Sequence, residues 1–451
     1  MAMASAERQA LYASARRKAI WRLMPLLLLA YFIANINRTN VGIAKQSLGI
    51  HAGLDAAAYG LGAGLFFVTY AIFEIPSNMV LRRVGARIWI ARIGVSWGVL
   101  SIALMFTTGP VYFYVFRMLL GAAEAGIFPA ILYLISRWFT QEDRGKMAGV
   151  VLATAALSSV LASPLGGALL RLDGFAGLHG FQLLFLVEGI PAIAVGILVF
   201  FLLPDGPEDA RWLTEGERET VLGIEGSKQS DDDPDTLRGV LARALASPLL
   251  LVAALVYALN MLAAYGIIFF TPSIIFAMGV ENTFHVGLLA AIVSVGSALG
   301  LLLVPRLIRS REGAGTVPGN EIRLAAWTIA GILLTSALFL LSDSGLGLPA
   351  NHGLQIGILA MIMFFVSAFQ PLLWSALMSR LAGAVAATGL AFVSMFGQIG
   401  SFVGPFAFGR VEQTTGDANA SVWLILAATV GAGALLPVLA RRLRADWRAS
   451  S

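Results

Sequence analysis

Three charged side chains of this sequence, Arg38, Arg117 and Glu124, lie within long runs of apolar residues. An ionisable group in apolar surroundings is costly to keep, so it usually has a function or a partner of opposite charge. A buried guanidinium can bind a carboxylate through paired hydrogen bonds. A buried carboxyl can take up and release a proton as its surroundings change. These residue types therefore indicate anion binding coupled to proton transfer.

The spacing of the three residues predicts their arrangement. If the apolar runs are helices, Arg38 and Arg117 each lie about six or seven residues from a helix end, roughly 10 Å below the same surface. Glu124 lies two turns beyond Arg117 on the same helix face, about 10 Å deeper. Two cations and one carboxylate leave a positive charge for an anionic ligand. A static network of Arg and Glu side chains is the alternative.

Other polar residues in the apolar runs are candidates to line the same substrate site: Asn35, Asn37, Tyr70, Asn260, Tyr265, Gln370, Ser394 and Gln398. Hydrogen bonding between packed helices is the alternative role for each of them. Arg92, Glu74 and Glu188 lie nearer the ends of their runs. We expect Arg92 to extend its guanidinium to the membrane surface, and the two glutamates to pair with a loop cation or a helix terminus.

The composition indicates which elements carry these residues. Of 451 residues, 58% are hydrophobic and 13% are charged, and the mean hydropathy is +0.81. Soluble domains contain about 25% charged residues, so this chain has too few for a soluble surface. The composition predicts an all-α integral membrane protein in a lipid bilayer. A net charge of +5 is too small for a nucleic-acid binder, in spite of a pI near 9.6.

Twelve apolar runs are long enough to cross a bilayer, which takes about 20 residues: 20–44, 57–81, 87–107, 110–135, 147–171, 181–203, 248–277, 284–305, 324–342, 354–378, 385–409 and 420–440. Their continuity argues against membrane strands, in which polarity alternates. The first run contains polar residues and lacks a small-residue cleavage motif, so we interpret it as a span and not as a cleavable signal peptide.

One long polar stretch, 204–247, separates an N-terminal six-helix half, 1–203, from a C-terminal six-helix half, 248–451. Within this linker, residues 208–228 are predicted to form a short amphipathic helix. Most Lys and Arg residues lie on one side of the predicted bundle, together with both termini and the linker. This asymmetry predicts that both termini are cytoplasmic. We expect a monomer in the inner (plasma) membrane.

Motifs for other chemistry are missing from the sequence. It has no Cys, which excludes thiolate metal sites and Cys nucleophiles, and no Gly-Lys-Ser/Thr phosphate loop for ATP. Its four His residues form neither a metal motif nor a convincing Ser-His-Asp triad. We therefore expect no enzyme activity, no metal and no cofactor. A membrane substrate sensor would usually carry a larger soluble domain than the linker, and a scaffold without transport activity is a further alternative.

Four spans carry ordered motifs: Ile36-Asn37-Arg38-Thr39-Asn40-Val41-Gly42 in the first, Phe73-Glu74-Ile75-Pro76-Ser77-Asn78 and then Arg83-Val84-Gly85-Ala86-Arg87 in and after the second, Arg117, Gly121, Glu124-Ala125-Gly126 and Pro129 in the fourth, and Phe185-Leu186, Glu188-Gly189 and Pro191-Ala192 in the sixth. Together they resemble the anion:cation symporter family of the major facilitator superfamily, over nearly the whole chain. The N-terminal half matches better than the C-terminal half.

The resemblance implies proton-coupled uptake of organic anions, such as sugar acids, tartrate, phthalate or hydroxyphenyl acids. By position, Arg38 and Arg117 match arginines that hold the carboxylate or gate for it. Glu124 matches the protonatable acid of the fourth span, and Tyr70 matches a tyrosine that contacts substrate.

The sequence departs from the family pattern at several positions. Asn37 replaces an Asp and cannot titrate, and Asn35 replaces a Tyr. Arg82 stands where the loop after the second span usually carries an acid. In the eleventh span, Ser394 and Gln398 replace asparagines. The identity of the substrate therefore cannot be taken from any single relative.

From these observations we predict a secondary transporter that carries a small organic anion together with protons by alternating access. The substrate carboxylate would face Arg38 and Arg117 near the membrane midplane. Because Asn37 cannot titrate, Glu124 is the only acid expected in the cavity, and one proton would move per cycle. An anion exchanger or uniporter without proton coupling is the alternative.

Overall fold

The computed structural model describes residues 5–225, 245, 247–309, 320–343, 351–378 and 383–450. These residues form α-helices, short 3-10 turns and loops. Twelve helical segments in this part of the chain are long and apolar enough to cross a membrane. The prediction of an all-α membrane protein with twelve spans is confirmed.

The helices are, in chain order, α1 (Ser5–Arg22), α2 (Met24–Ala52), α3 (Ala56–Val84), α4 (Ala86–Ala103), α5 (Pro110–Glu124), α6 (Ile127–Trp138), α7 (Gln141–Leu170), α8 (Gly180–Leu202), α9 (Glu215–Glu225), α10 (Pro248–Ala277), α11 (Thr283–Arg309), α12 (Asn320–Asp343), α13 (His352–Met378), α14 (Gly383–Thr415) and α15 (Val422–Ser450). The fourth span consists of α5 and α6. The predicted linker helix, 208–228, corresponds to α9, but α9 begins only at Glu215, after a 3-10 turn at Pro207–Asp209 and a short loop, and residues 226–228 lie outside the described residues.

The helix ends follow local sequence rules. At the start of α3, the Asp55 carboxylate accepts a hydrogen bond of 2.7 Å from the backbone nitrogen of Ala58. Proline occupies the first turn of α2, α5 and α10, where it removes no helical hydrogen bond. Gly53 ends α2 with a φ of 66°, a left-handed conformation that glycine adopts without strain.

The first span is longer than predicted. We expected it to end at residue 44, but α2 continues to Ala52. The added turns contain Lys45, whose ammonium is paired with Glu412 of α14. Arg38 therefore lies at the middle of α2 and not near its end. The expectation that Arg38 and Arg117 lie at the same depth below one surface is therefore wrong.

The fourth span is broken at its middle. α5 ends at Glu124, and Gly126 precedes α6 with a φ of 95°. A break leaves backbone carbonyl groups without helical partners. One of them, the carbonyl of Ala125, accepts a hydrogen bond of 2.6 Å from the hydroxyl of Ser77 in α3. Glu124 is thereby fixed at a helix C-terminus.

Arg92 of α4 also lies at this break. Its Nη1 donates to the carbonyl of Ala123, 3.2 Å away, and its guanidinium carbon lies 3.9 Å from the centre of the Trp89 ring. The half-buried guanidinium thus extends toward Trp89, one turn nearer the N-terminal end of α4, and the extension of Arg92 to the membrane surface stays a prediction. Its side chain also supplies a donor to a carbonyl at the end of α5.

The spans α2 to α8 pack against one another and are called the first group below, and α10 to α15 likewise form the second group. Between the groups, α3 packs against α14, α7 against α11 and α2 against α10. These contacts bring backbones close together: a Cβ atom on Gly287 of α11 would lie 3.1 Å from the Cα of Pro164 in α7. Small residues permit such close crossings of membrane helices.

An ion pair joins the two groups at the end of the bundle away from the termini, called the opposite end below. The Lys45 ammonium lies 2.6 Å from Oε1 of Glu412 and 2.8 Å from the hydroxyl of Ser273 in α10. It also lies 4.2 Å from the centre of the Phe270 ring. The Lys45 side chain is only 9% exposed, so this ion pair lies within the contact between the groups at the opposite end.

At the termini end, α1 packs against α9. Glu217 of α9 accepts hydrogen bonds of 2.7 Å from Lys18 and from Ser14 of α1. Burial raises the pKa of Glu217, but these bonds and one from the backbone nitrogen of Thr214 outweigh it and hold the pKa at about 2.

Candidate functional site

An ion pair at the centre of the bundle joins Arg38 of α2 to Glu124 of α5, through Nη2 and Oε1. The exposed fraction of the side chain is 20% for Arg38 and 1% for Glu124. The helix dipole disfavours a carboxylate at a helix C-terminus, which adds to the need of Glu124 for a cation. Two of the three charged residues that the sequence singled out are thus in direct contact.

Aromatic rings surround the rest of the Arg38 guanidinium. Its central carbon lies 5.3 Å from the ring centres of both Phe66 and Tyr70 in α3. Cation–π contacts of this kind stabilise a guanidinium without using its hydrogen-bond donors. The Nε of Arg38 is buried and has no hydrogen-bond partner. Arg38 therefore keeps donor capacity for a further acceptor.

Arg117 is fully buried two turns from Glu124, toward the opposite end. Its Nη2 donates to the carbonyl of Ala63, 3.1 Å away, and its guanidinium carbon lies 4.8 Å from the centre of the Phe66 ring. Its Nη1 has no hydrogen-bond partner. No carboxylate of the described residues forms an ion pair with Arg117, whereas Arg38 is paired with Glu124.

The two candidate asparagines of α2 form hydrogen bonds to partners other than Arg38 and Glu124. Asn35 donates to the carbonyl of Tyr31 in its own helix, 2.7 Å away. Asn37 faces the interior of the first group, where it accepts from the Ser101 hydroxyl at 2.7 Å. Asn37 has a role in helix packing here, which was the alternative considered for it.

Glu188 of α8 is buried with an exposed fraction of 4%. Within the described part of the chain no loop cation pairs with it, and its Oε1 accepts a hydrogen bond from Nδ2 of Asn40 in α2. Asn40 was missed as a functional candidate, although both residues lie in the motifs quoted above. The expectation that Glu188 pairs near a span end is therefore wrong.

Glu74 lies one turn from Tyr70 on α3, toward the termini end. It is half-buried and within electrostatic range of Arg38 and of Tyr257 in α10. No ion pair of Glu74 occurs within the described residues. Glu74 thus faces the region between the two groups, and Glu124 is not the only acid near Arg38.

The C-terminal candidates are in different surroundings. The ring of Tyr265 lies 4.5 Å from that of Phe67, at the contact between the groups, and Tyr265 is within electrostatic range of Arg38. Asn260 instead faces the interior of the second group, where it donates to the carbonyl of Val366, 3.1 Å away. Three further candidates are half-buried on α13 and α14: Gln370, Ser394 and Gln398.

A cavity of about 40 Å³ lies between the groups, and α2 contributes Thr39 and Ile43 to its lining, next in sequence to Arg38. Six hydroxyl residues contribute to its lining: Thr39, Ser159, Ser163, Thr271, Ser294 and Ser297. Several of these hydroxyls donate to a carbonyl of their own helix, as Thr39 does to Asn35 and Thr271 to Ile267. Such a hydroxyl keeps lone pairs that can accept hydrogen bonds from a ligand. None of these six residues was a candidate from sequence.

His51, Asp173 and His179 meet at the opposite end, with potential ligand atoms within 4.8 Å of one another. All three are exposed, and the two imidazole rings are stacked with centres 3.8 Å apart. Stacked rings direct their nitrogens side by side instead of toward one point. This geometry is poor for a shared metal ion, for which ligands must converge.

The sequence of this chain matches the model of the Major Facilitator Superfamily over residues 27–405. The chain belongs to the Major Facilitator Superfamily. A putative tartrate transporter of Agrobacterium vitis is 35% identical to it, over 94% of this chain and 91% of the relative. A quinolone resistance transporter of Acinetobacter baumannii is 36% identical, over 91% of each chain.

The fold agrees with this membership. The crystal structure of a D-xylose–proton symporter superimposes with a TM-score of 0.71 at 14% identity, covering 92% of this chain and 97% of the other. The protein is thus a membrane transporter of the Major Facilitator Superfamily and not an enzyme. The resemblance of its sequence motifs to this superfamily is confirmed.

Proposed function

We propose that this protein is a symporter that moves a small organic anion together with a proton. The observation that carries the proposal is the ion pair of Arg38 with Glu124, next to a second buried arginine that has no acid of its own. A carboxylate ligand would supply the anionic partner that Arg117 lacks. The tartrate transporters among the relatives are consistent with a carboxylate substrate.

The ion pair suggests how anion and proton are coupled. Arg38 is bonded to Glu124, so a substrate carboxylate must compete for the same guanidinium. When the substrate displaces Glu124, the displaced carboxylate is buried without its cation, and a proton removes that unfavourable charge. Anion and proton therefore bind together, and leaving either out restores the Arg38–Glu124 pair.

We propose alternating access, in which the ion pair at the opposite end closes that end of the site. We propose that the groups correspond to the halves 1–203 and 248–451, with 204–247 as linker, and that they rock about the central site. The distribution of cations favours a cytoplasmic termini end in an inner membrane. The structure then represents a state closed toward the outside by Lys45 and Glu412.

We propose that the hydroxyl-lined cavity joins the Arg38 site when the groups move during transport, which would favour a substrate with polar groups besides its carboxylate. Hydroxyls that donate to their own helix act as acceptors, and an acceptor lining binds ligands with O–H groups. We therefore propose hydroxy acids as the first compounds to test. A thermal-shift screen of the purified protein would detect them, because a bound ligand stabilises the folded state.

The test of the site uses uptake into proteoliposomes with Arg38→Ala and Arg117→Ala, and Arg171→Ala as the control, since Arg171 is exposed at the end of α7. We expect both site variants to lose anion binding and uptake, and the control to retain them. Arg38→Lys should rescue poorly, because lysine lacks the planar fork that fits a carboxylate. Normal uptake by either alanine variant of the site would contradict the assignment.

The alternative is exchange or uniport with a permanent Arg38–Glu124 pair. It predicts uptake that does not respond to an imposed pH gradient. Substrate-dependent alkalinisation of the medium outside proteoliposomes, measured with a pH dye, distinguishes the two mechanisms: the symporter shows it, and the exchanger or uniporter does not.

A further inference from the structure

The side chains of Glu188 and Asn40 form one hydrogen bond and leave two acceptors without partners. Nδ2 of Asn40 donates to Oε1 of Glu188. Oε2 of Glu188 and Oδ1 of Asn40 are both buried, and neither has a hydrogen-bond partner. An unsatisfied buried polar atom is costly, so a pair of them on two bonded groups needs an explanation.

A single proton satisfies both atoms. An ionised carboxylate only accepts hydrogen bonds, whereas a protonated carboxyl has one O–H donor. With the proton on Oε2, Glu188 donates to Oδ1 of Asn40 while Nδ2 of Asn40 donates to Oε1. The two planar groups are then joined by a closed ring of two hydrogen bonds, and no polar atom of either side chain is left over.

The surroundings of Glu188 favour the neutral acid. No Lys or Arg of the described residues forms an ion pair with it, and its exposed fraction is 4%. A buried carboxylate without a cation is far more costly than a neutral acid. Gly166 of α7 covers the pair, because a Cβ atom there would lie 2.9 Å from Oδ1 of Asn40.

Glu188 holds α2 at a second point. Its backbone carbonyl accepts from Nδ2 of Asn37, 3.3 Å away. Asn37 and Asn40 are one turn apart on α2, and Arg38 lies between them in sequence. One residue of α8 therefore fixes both the rotation and the axial position of α2 at the point from which Arg38 reaches Glu124.

We propose that Glu188 carries a permanent proton in a cyclic acid–amide pair with Asn40, and that this pair is a positioning device for Arg38. Glu188 acts through α2 and does not contact the substrate. The chain thus has two buried acids with different tasks: Glu124 exchanges its proton during transport, and Glu188 keeps its proton. The positioning role rests on the proposed anion site, whereas the proton on Glu188 does not.

The proton is tested first, without substrate. Infrared difference spectra of wild type and Glu188→Gln in lipid at neutral pH should show the C=O stretching band of a protonated carboxyl that is lost in the variant. Loss of carboxylate bands instead would overturn the proposal. This result is independent of what the protein transports, so it separates a failure of this inference from a failure of the proposed function.

The positioning role is tested by uptake. Glu188→Gln keeps two hydrogen bonds, because an amide can replace the acid in the ring, and its KM should match wild type. Glu188→Leu and Asn40→Leu should raise KM by about tenfold or more, on the scale of a binding group displaced by roughly 1 Å. Combining Asn40→Asp with Glu188→Gln exchanges the positions of the acid and the amide, and this reversed pair should also have the wild-type KM.

Two outcomes would contradict the positioning role. If Glu188→Gln loses proton-coupled uptake as Glu124→Gln does, Glu188 releases its proton during transport. If Glu188→Leu has a wild-type KM, the pair does not position Arg38. Should Glu188→Leu fail to fold, the reversed pair decides: a wild-type KM supports the ring, and a raised KM in a folded protein refutes it.

Discussion

Glu124→Gln should separate anion binding from proton movement. In the wild type the substrate must displace Glu124 from Arg38, and a hydrogen bond to a charged partner is worth about 1.5–3 kcal/mol. Coulomb's law at an effective dielectric constant of 20 gives about 4 kcal/mol at 4 Å as an upper limit, and the 20% exposure of Arg38 reduces it. A neutral glutamine offers only about 1 kcal/mol.

The variant therefore competes less for Arg38. The difference of about 1.4 kcal/mol corresponds to about tenfold tighter anion binding. Its pH dependence should also change. Where wild type takes up one proton with the anion, affinity falls by up to about tenfold per pH unit as the pH rises, whereas the affinity of Glu124→Gln should be flat.

The assay is isothermal titration of the purified protein with an organic acid over a pH series, together with uptake into proteoliposomes. Glu188→Gln is the matched control, since it neutralises the other buried acid. Glu124→Gln should retain counterflow exchange and lose pH-driven accumulation. If it still moves protons with substrate, Glu124 is not the coupling group; weaker anion binding would show that Glu124 does not compete for Arg38.

Three further predictions concern voltage, closure and the termini end. Uptake of a monovalent anion with one proton moves no net charge, so a potassium–valinomycin potential at constant pH should have little effect on uptake, whereas each net charge moved would add about 2.3 kcal/mol per 100 mV. Asn37→Asp should add no voltage dependence, because Asn37 packs between helices. Strong stimulation by an inside-negative potential would refute one-proton transport. Lys45→Met and Glu412→Gln each remove the ion pair at the opposite end and should make a single cysteine introduced there about tenfold more reactive toward a thiol label. The label is specific, since the chain has no cysteine of its own. Unchanged labelling would show that the pair does not hold this end closed. Glu217→Gln should lower the melting temperature at neutral pH, because the depressed pKa of Glu217 stabilises the fold above about pH 4 and this contribution fades as the pH falls toward 2. An equal difference in melting temperature between wild type and variant at every pH would contradict a role for the charge of Glu217.

The number of spans was predictable because a membrane helix is selected by the summed hydrophobicity of a local segment. The end of α2 was not, because the polar turns around Lys45 lower that sum. Their polar group is satisfied by Glu412, which is remote in sequence and comes into contact only in the folded bundle. The hydropathy of a segment does not contain the identity of its tertiary partner.

The site was predictable as a set of residues but not as a set of contacts. Helical periodicity placed Glu124 on the same face as Arg117, yet the structure pairs it with Arg38. The sequence predicted surface or terminal roles for Arg92 and Glu188, because without a structure the distance of a residue from the end of its span is the only indication of its surroundings. Their actual partners, a carbonyl at a helix break and an asparagine side chain, depend on how neighbouring helices cross.

The sequence by itself determined the fold class, the twelve spans and the few ionisable residues that an apolar bundle must accommodate. Only the tertiary structure decided that Arg38 meets Glu124, that Arg117 is left without an acid, and that Glu188 meets Asn40. The physical reason is range. Hydrophobic burial is summed along a segment and tolerates small shifts, whereas a hydrogen bond or ion pair depends on the rotation and axial position of two helices to within a fraction of an ångström.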